Sequence, residues 1–566
     1  MLRTSFLLIP LSLLGVVAVM LGLKSPDVVE VTSSERLSYI IKSDDLDSLK
    51  RELENLQVQP SHELKIISSL AVELNEVQLA QLKQALPIEV SENHTVESSG
   101  HWSWGMRWWQ PLASVPEYVG ATAAHNYYNF GDGVTIGFLD TGLDQMQGAS
   151  SGLGLSTDLY GRDKFWGNYD AINNTITDFS HEESGHGTHV ASIAGNADYD
   201  VYGHVYGVAP NAALVGIKAF DQEGKATYAD VIRGIDWAIE VKDLINLRVL
   251  NMSFSGPVRS YYWEDPLNQA VMKAWEAGIV IVASAGNKGS GPMTVGVPGN
   301  VPYIITVGAM TDNYTPNYYG DDQVASFSAA GPTAAGFVKP DIVAPGGHLP
   351  GLMAFDTQIA YEHPEFHDGG SYFQMSGTSQ AAGVVSGVVA LMLTENPWLT
   401  PDDVKCRLMD SARPAVKESG ELAFSVFQQG AGVVNAADAL ESSVYGCANQ
   451  ALDIAKDLSG EEHFYGPANV NDDGNFYVEG MGQQYVWDLK AEDLDGSANL
   501  WKVNNGTYPA SWQAMASTDA NLWKVSFETY TLSWNAELGS DATLWKVNFG
   551  DDVLNTISIN HWVDQE

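Results

Sequence analysis

Residues 134–142 read VTIGFLDTG, a nearly all-apolar run that ends in an aspartate, Asp140. Similar apolar runs recur along the chain, and patterns with helical periodicity, such as 228–241 and 268–277, separate them. Apolar strands that alternate with helices are typical of a parallel sheet buried on both faces. The sequence therefore predicts an α/β domain with helices on both sides of its sheet. The other predicted strands of this sheet are 213–217, 249–252, 279–283 and 303–307.

Three further polar residues stand where such a fold would place a site. His186 opens a predicted helix in the motif GHGTHVA (185–191), and Ser379 opens another in SGTSQAA (376–382). A serine hydroxyl becomes a nucleophile when a histidine takes its proton, and an aspartate such as Asp140 orients that histidine. Asn287, just after the strand at 279–283, offers an amide for an oxyanion, beside the Ser379 N–H.

Each motif alone has a simpler interpretation, as a helix cap, a turn or a metal-binding histidine pair. Together, in the order Asp, His, Asn, Ser, they resemble the subtilisin family of serine proteases. The resemblance runs from about 123 to 439 and implies a three-layer subtilisin-like fold and an endopeptidase that works through an acyl-enzyme. Two departures stand beside the nucleophile: Gln380, where the family usually has Met, and Gly383, where it often has Pro. The matching motifs are LDTG (139–142), GVAP (207–210), NMS (251–253), AGN (285–287), GTS (377–379) and GAGVVNA (430–436).

The resemblance also implies where substrate binds. The segment Gly224, Lys225 and Ala226 would pair with the substrate backbone, and Ser253, Phe254 and Ser255 would pair with its other side. Tyr228 and Phe254 would border the pocket for the fourth residue before the cleavage point, and Gly296 would form the bottom of the primary pocket. None of these residues is acidic, so we expect apolar or aromatic substrate residues before the cut. Ordinary loops remain the alternative.

The N-terminal part predicts export and processing. Residues 1–24 fit a signal peptide or a membrane anchor, and both would place the rest outside the cytoplasm; we favour secretion. Residues 36–95 form an α+β pattern that resembles the family's inhibitory propeptide, which implies cleft occupancy and self-cleavage between about 93 and 105. A permanent accessory domain is the alternative. The pattern predicts strands over 39–41, 64–67, 70–74 and 88–90, with helices over 44–56 and 76–86.

The C-terminal part differs from the predicted peptidase domain, 110–446. Residues 451–566 hold a 22-residue repeat, in which TYPASW (507–512) recurs as TYTLSW (529–534). The repeats predict an all-β domain of hairpins. Their tryptophans would fill a small β core or present an aromatic surface to a glycan or a cell-surface partner. A binding protein with a vestigial protease fold is the rival function, against which the four intact catalytic positions argue.

Charge and cysteine content limit the partners and cofactors. With 70 acidic and 29 basic residues the net charge is −41, which disfavours nucleic acid as a partner. No Cys-x-x-Cys spacing exists, which excludes a thiolate metal site, and we expect Cys406 and Cys447 to form a disulfide, with two free thiols as the alternative. The resemblance implies catalysis without a cofactor. Structural calcium is common in the family, but its glycine- and asparagine-rich loop is not recognisable at 194–201, and NVNDDG (469–474) fits a solvated turn better than a calcium loop.

Overall fold

The computed structural model describes eight ranges of the chain. The predicted signal or anchor segment and the tryptophan repeats lie outside these ranges. No helix within them is both long and apolar enough to cross a membrane. The described ranges are 36–98, 114–177, 182–289, 291–312, 322–415, 422–450, 452–470 and 476–478.

The N-terminal segment (36–98) folds as two helices on an antiparallel sheet of order β2-β3-β1-β4. Because side chains alternate along a strand, β1 and β3 have two buried faces. Tyr39 and Ile41 pack with the helices in a core of the segment's own, whereas Ile40 and Ala71 join the core of the following domain. The elements are β1 (Leu37–Lys42), α1 (Leu46–Asn55), β2 (His62–Leu64), β3 (Ser69–Leu74), α2 (Glu76–Ala85) and β4 (Glu89–Glu92).

Two predictions about this segment need correction. The strand expected over 64–67 ends at Leu64, and Lys65–Ile67 form a turn of 3-10 helix before Ser68 at φ +51°. Since β2 and β3 are adjacent and antiparallel, the chain must reverse there. The polar stretch 91–105 after β4 is predicted from its composition to be a processing linker, but its described part contains a strand, β5 (Thr95–Ser98).

The central domain (114–446) is built on one large sheet of order β15-β14-β13-β11-β6-β9-β7-β8, with β16 also paired to β14. The pairs from β14 to β7 are parallel, and the edge strands β8 and β15 are antiparallel. Asp140 ends β6, and Ser253 follows β11, so both lie at the carboxyl edge of the sheet. The strands are β6 (Thr135–Asp140), β7 (Phe165–Asp170), β8 (Thr175–Thr177), β9 (Ala213–Lys218), β10 (Lys225–Thr227), β11 (Leu247–Met252), β12 (Phe254–Ser255), β13 (Val280–Ser284), β14 (Ile305–Thr311), β15 (Gln323–Val324), β16 (Ile342–Pro345), β17 (Leu349–Leu352) and β18 (Tyr372–Met375).

Helices cover both faces of this sheet, as predicted. On β9, Leu214 contacts Gly195 of α5, and Ile217 contacts Gly234 of α6. Residues three apart in a strand point to opposite faces, so α5 and α6 lie on opposite sides. The helices are α3 (Ser114–Tyr118), α4 (Ala121–Asn126), α5 (His186–Gly195), α6 (Tyr228–Ile245), α7 (Pro266–Glu276), α8 (Gln358–Glu362), α9 (Thr378–Glu395), α10 (Pro401–Ser411), α11 (Val426–Gln429) and α12 (Ala436–Glu441).

The packing of the central domain continues past the boundary predicted at 446–451. We call residues 452–470 and 476–478 the C-terminal strap; it holds α13 (Ile454–Ser459), β19 (Ala468–Val470) and β20 (Phe476–Val478). Asp457 of α13 is buried and accepts hydrogen bonds from the hydroxyls of Tyr262 (2.7 Å) and Tyr303 (2.6 Å). That boundary therefore does not mark a break in packing.

Cys406 of α10 and Cys447 are joined by a disulfide, with their Cα atoms 5.1 Å apart. The bridge ties the end of the central domain to α10, just before the strap begins. The structure thus contains the disulfide rather than the alternative of two free thiols.

Candidate active site

The side chains of Asp140 and His186 form a buried hydrogen bond at the carboxyl edge of the sheet. His186 is the first residue of α5, and its Nδ1 lies 2.7 Å from Asp140 Oδ1; each side chain is 1% exposed. The Thr141 N–H donates to the same oxygen at 2.8 Å, which orients the carboxylate. With the ring proton on Nδ1, the lone pair is on Nε2, and that atom is buried without a hydrogen-bond partner in the described residues. The pair therefore presents a proton acceptor.

Ser379 is the second residue of α9 and is fully buried. Its hydroxyl donates to the carbonyl of Ser253 at 3.0 Å, and the Ser253 hydroxyl donates back to the Ser379 carbonyl at 3.1 Å. These two bonds tie the start of α9 to the end of β11. The hydroxyl donates here to Ser253 and not to His186, so attack on a substrate would require its rotation toward Nε2.

Asn287 lies beside the start of α9. Its Oδ1 accepts from both the N–H (3.0 Å) and the hydroxyl (2.8 Å) of Thr378, which assigns the other end of the amide as the donor. That Nδ2 group is buried and has no partner in the described residues. A buried donor next to Ser379 is suited to a developing oxyanion.

Glu182 is a functional candidate that the sequence reasoning missed. Its Oε1 accepts from the N–H groups of Ser184 (3.1 Å) and Gly185 (2.8 Å), and its Oε2 accepts from the N–H of Thr188 (3.1 Å). Burial raises the pKa of Glu182, as does the nearby charge of Asp140, while these hydrogen bonds lower it. The carboxylate fixes the first turn of α5 and therefore the position of His186. The sequence signal that could have identified Glu182 is its position four residues before His186.

The two departures beside Ser379 have a packing explanation. Gln380 is fully buried, and its Nε2 lies 3.4 Å from Nδ1 of His189 in α5. Burial lowers the pKa of His189 to about 3, so the ring is neutral and can accept. A Cβ at Gly383 would lie 2.9 Å from the Val190 carbonyl oxygen, a contact closer than real Cβ atoms make. Glycine here allows α5 and α9 to approach closely.

The cleft holds part of the chain itself. β5 lies between β10 and β12 and is antiparallel to both. The two segments expected to pair with substrate are therefore paired with the end of the N-terminal segment. Phe254 is opposite Ser98, so β5 ends beside the residue that follows Ser253, whose carbonyl accepts from the Ser379 hydroxyl. The paired residues are Thr95 with Thr227, Val96 with Ala226, Glu97 with Lys225 and Ser255, and Ser98 with Phe254.

The predicted pocket residues line this cleft. Val96 is buried and packs against Gly256, whose added Cβ would be 2.8 Å from a Val96 methyl. Tyr228 is fully buried; its hydroxyl donates to Asp265 at 3.0 Å, and its ring meets the imidazole of His94 edge-on at 5.5 Å. Phe254 is also fully buried and packs on Phe220, with ring centroids 5.0 Å apart.

Glycines bring backbone close together at the predicted primary pocket. A Cβ at Gly296 would be 2.1 Å from Ser255 Oγ and 2.4 Å from the Gly256 carbonyl oxygen, so no larger residue fits. A Cβ at Gly286, which lies at φ +109°, would be 2.7 Å from the same Oγ. Gly224, at φ +70°, closes the turn before β10 by donating to the Asp221 carbonyl at 2.9 Å.

The segment 194–201 does not fit the calcium ion common in related folds. Asp198 is buried, and its two carboxylate oxygens accept from Ser150 N–H (2.9 Å), Ser151 N–H (2.5 Å), Ser151 hydroxyl (2.5 Å) and Tyr372 hydroxyl (3.0 Å). A calcium ion needs six to eight oxygens with free lone pairs. Within the described ranges, no group of three or more His, Cys, Asp or Glu could hold a metal.

The side-chain amino group of Lys164 is buried and donates to two backbone carbonyls, one of them within segment 194–201. Lys164 Nζ donates to the carbonyl of Gly195, at the end of α5, and to that of Pro210 at 2.6 Å. Burial lowers the pKa of Lys164 to about 7, although the charge of Asp158 opposes this. The amino group of Lys164 thus satisfies carbonyl oxygens that could otherwise ligate a metal.

Comparisons with known proteins agree with this geometry. Serine protease AprX of Bacillus subtilis (strain 168) is 37% identical over 321 residues, covering 56% of this chain and 67% of AprX. Subtilisin E of the same organism is 30% identical over 362 residues, covering 62% of this chain and 77% of its own. The crystal structure of fervidolysin from Fervidobacterium pennivorans, a keratinolytic enzyme related to subtilisin, shares the fold with a TM-score of 0.56 and 24% identity, covering 73% of this chain and 62% of fervidolysin.

The family model described as "Subtilase family", Peptidase S8, matches residues 131–446. That range is more than half of the 566 residues and contains every residue of the site described above except those of the N-terminal segment. The chain therefore belongs to the subtilase family of serine proteases.

Proposed function

We propose that Asp140, His186 and Ser379 are the catalytic triad and that Asn287 is an oxyanion donor, in a secreted endopeptidase made as a self-processing zymogen. Ser379 Oγ attacks the scissile carbonyl carbon, and His186 Nε2 takes the hydroxyl proton. Asn287 Nδ2 and the Ser379 N–H hold the oxyanion. His186 then gives its proton to the leaving amine, and water hydrolyses the acyl-enzyme by the reverse sequence.

The position of β5 is the observation that carries this proposal. It pairs with both walls of the cleft as a substrate would, and its carboxyl end points at Ser253 and Ser379. We infer that the N-terminal segment is an intramolecular inhibitor and that the self-cleavage site lies one or two residues beyond Ser98. This position narrows the range of about 93–105 that the sequence predicts for the self-cleavage site.

The substitution Ser379→Ala in the full-length chain tests the proposal. We expect wild-type protein to lose its N-terminal segment, to react with a fluorophosphonate probe and to hydrolyse casein. The Ser379→Ala variant should remain uncut, unlabelled and inactive. Cleavage of purified Ser379→Ala protein without added protease would contradict self-processing. An unlabelled and inactive wild-type protein would favour the rival binding function.

Asn287→Ala serves as a graded second variant. Its kcat should fall about a hundred- to a thousandfold with little change in KM, the magnitude established for the corresponding donor in subtilisin. An unchanged kcat would remove Asn287 from the mechanism.

The remaining assignments rest on sequence. Residues 1–24 are proposed to direct export, and the tryptophan repeats are proposed to form an all-β domain that begins after Val478, since the strap belongs to the central packing. The repeats would bind a glycan or a cell-surface partner if their tryptophans are exposed. Structural calcium, which the family resemblance implies, is proposed only for residues outside segment 194–201, because Asp198 is occupied by protein donors.

A further inference from the structure

The direction of β5 indicates which side of the molecule receives the part of a substrate that follows the scissile bond. β5 begins on the α6 side of the large sheet, where the N–H of Tyr228 donates to the His94 carbonyl at 2.6 Å. It ends near Ser379, at the start of α9. Helices α9 and α5 pack together on the opposite side of the sheet, where Gly383 meets Val190. A substrate that follows β5 and continues past Ser379 therefore runs onto the α5 side.

The connection between β17 and β18 lies on this side, next to His186. β17 packs against α5, and the chain beyond it turns back toward the start of that helix. There the N–H of Gln358 donates to the Glu183 carbonyl at 2.7 Å, and the N–H of Ile359 donates to the Ser184 carbonyl at 3.1 Å. Backbone hydrogen bonds thus hold the connection against the residues directly before His186.

A turn in this connection carries an aromatic and an acidic side chain. The Thr357 N–H donates to the carbonyl three residues earlier at 3.3 Å, so Phe355 and Asp356 are the two central residues of the turn. Met353 and Thr357, which flank the turn, both contact Gly185. A Cβ at Gly185 would lie 2.8 Å from Thr357 Oγ1 and 3.0 Å from the Met353 side chain. The turn is therefore fixed at both ends against the residue that precedes α5.

Both central residues of the turn are exposed, and no cation accompanies them. Phe355 is 77% exposed, and its ring meets that of His367 edge-on at a centroid distance of 6.4 Å. Asp356 is exposed and forms no ion pair within the described ranges. Residues 348–374 contain no lysine or arginine. Because an aromatic face and a carboxylate both attract a cation, the turn is suited to a positively charged side chain.

We propose that the turn formed by Phe355 and Asp356 is a subsite for an arginine or lysine in the part of the substrate that leaves after cleavage. The Asp356 carboxylate pairs with the cation, and the Phe355 ring packs against it. An extended substrate advances about 3.3 Å per residue, so its second or third residue after the scissile bond comes within reach of the turn. The proposal rests on the proposed function, because it takes β5 as a stand-in for substrate.

Acyl transfer to short peptide amides tests the subsite on processed wild-type enzyme. An ester substrate forms the acyl-enzyme, and an added peptide amide competes with water for it, so the ratio of transfer to hydrolysis measures binding on the leaving side. We use the amides Ala-Xaa-Ala and Ala-Ala-Xaa, in which Xaa is Arg, Gln or Glu. At low ionic strength the better Arg peptide should accept the acyl group about three- to tenfold more readily than its Gln counterpart. The Glu peptide should be the poorest acceptor, and 1 M salt should reduce the differences.

Four variants locate the effect. Phe355→Ala and Asp356→Asn should each lower the Arg-to-Gln ratio by about two- to threefold. Tyr202→Ala removes an aromatic side chain that is 83% exposed beyond the far end of α5, a helix about 15 Å long. Asp243→Asn removes an exposed carboxylate of α6, on the opposite side of the sheet. Both of these controls should leave the ratio intact, and unchanged ester hydrolysis shows that each variant is folded.

Equal transfer to the Arg and Gln peptides at both positions would overturn the subsite, as would an unchanged ratio in both Phe355→Ala and Asp356→Asn. A ratio that falls as far in Asp243→Asn as in Asp356→Asn would also overturn it, because the preference would then come from the net charge of −41 and not from the turn. Wild-type protein that does not hydrolyse the ester would instead overturn the proposed function.

Discussion

The N-terminal segment and the C-terminal strap flank the central domain, and they are attached to it in different ways. The N-terminal segment has a core of its own with nine buried residues, including Leu49 and Leu70. The described strap residues have none; Phe464, Ala468 and Val478 are buried in clusters that the central domain supplies. A segment with its own core can leave without exposing it, whereas the strap would lose its burial on leaving. This difference supports the proposal that the N-terminal segment is removed, and it favours a permanent role for the strap.

The largest effect is expected from cutting off the strap. Truncation after Gln450 leaves the disulfide intact but exposes apolar surface on the central domain and removes the acceptor of two buried tyrosine hydroxyls. We expect almost no soluble, active protein, whereas truncation after Val478 should preserve small-peptide hydrolysis. Yield, near-ultraviolet circular dichroism and activity of the two truncations would be compared. Wild-type activity after truncation at Gln450 would refute the permanent role of the strap.

A single buried carboxylate should account for part of that effect. Asp457→Asn keeps the size of the side chain but weakens the hydrogen bonds from Tyr262, Tyr303 and His463. The free energy of unfolding should fall by about 2 kcal/mol, as expected for hydrogen bonds to a buried charge. Urea unfolding in the Ser379→Ala background avoids self-digestion. The exposed Asp243→Asn is the control, and equal stability of the two variants would show that the cluster contributes little.

Acid should loosen the N-terminal segment. His94 has a pKa of about 4 when the segment is docked, because burial and Arg259 disfavour its charge, and about 6.5 when the segment is free. The free state therefore binds the proton more tightly, so affinity is full above pH 6.5 and falls as the pH drops toward 4. We expect on the order of tenfold weaker inhibition at pH 5 than at pH 7.5.

Recovery of peptidase activity after self-cleavage, measured at both pH values, checks this. His94→Gln cannot be protonated and should remove most of the pH dependence. A variant that retains the full acid effect would show that another group controls release.

The sequence was most informative where one local motif carries one chemical requirement. The apolar strands, the contact of His186 with Asp140 and the placement of Asn287 beside α9 all follow from motifs of a few residues, and the family resemblance supplied their order. Chain reversal at Lys65–Ile67 left no trace in the apolar pattern, because alternating hydrophobicity does not report which way the chain turns.

Long-range packing was not predictable in this way. Asp457 is one of 70 acidic residues, and its partner Tyr262 lies almost 200 positions away, so nothing local marks the pair. β5 is polar and resembles a linker; only its two neighbours in the cleft make it a strand. The role of Glu182 is likewise visible only from the residues that surround it in three dimensions.

The smallest effect is expected from one polar contact between the N-terminal segment and α6. Asn93 Oδ1 accepts from the N–H of Ala229 at 2.8 Å, in the first turn of that helix, where N–H groups lack partners within the helix. Asn93→Ala should weaken docking of the cleaved segment about fivefold, the loss typical of such a contact. Asn93→Asp keeps an acceptor, places a negative charge at the helix N-terminus and should dock at least as tightly as wild type.

The substitution Asn55→Ala, at an exposed position in α1, controls for the loss of an asparagine side chain itself. The delay before activity appears after self-cleavage measures docking, and it should shorten only in Asn93→Ala. If Asn93→Ala and Asn55→Ala gave the same delay, the polar contact would contribute nothing to the affinity of the cleaved segment. That affinity would then come only from the pairing of β5 and from the apolar face of the segment's sheet.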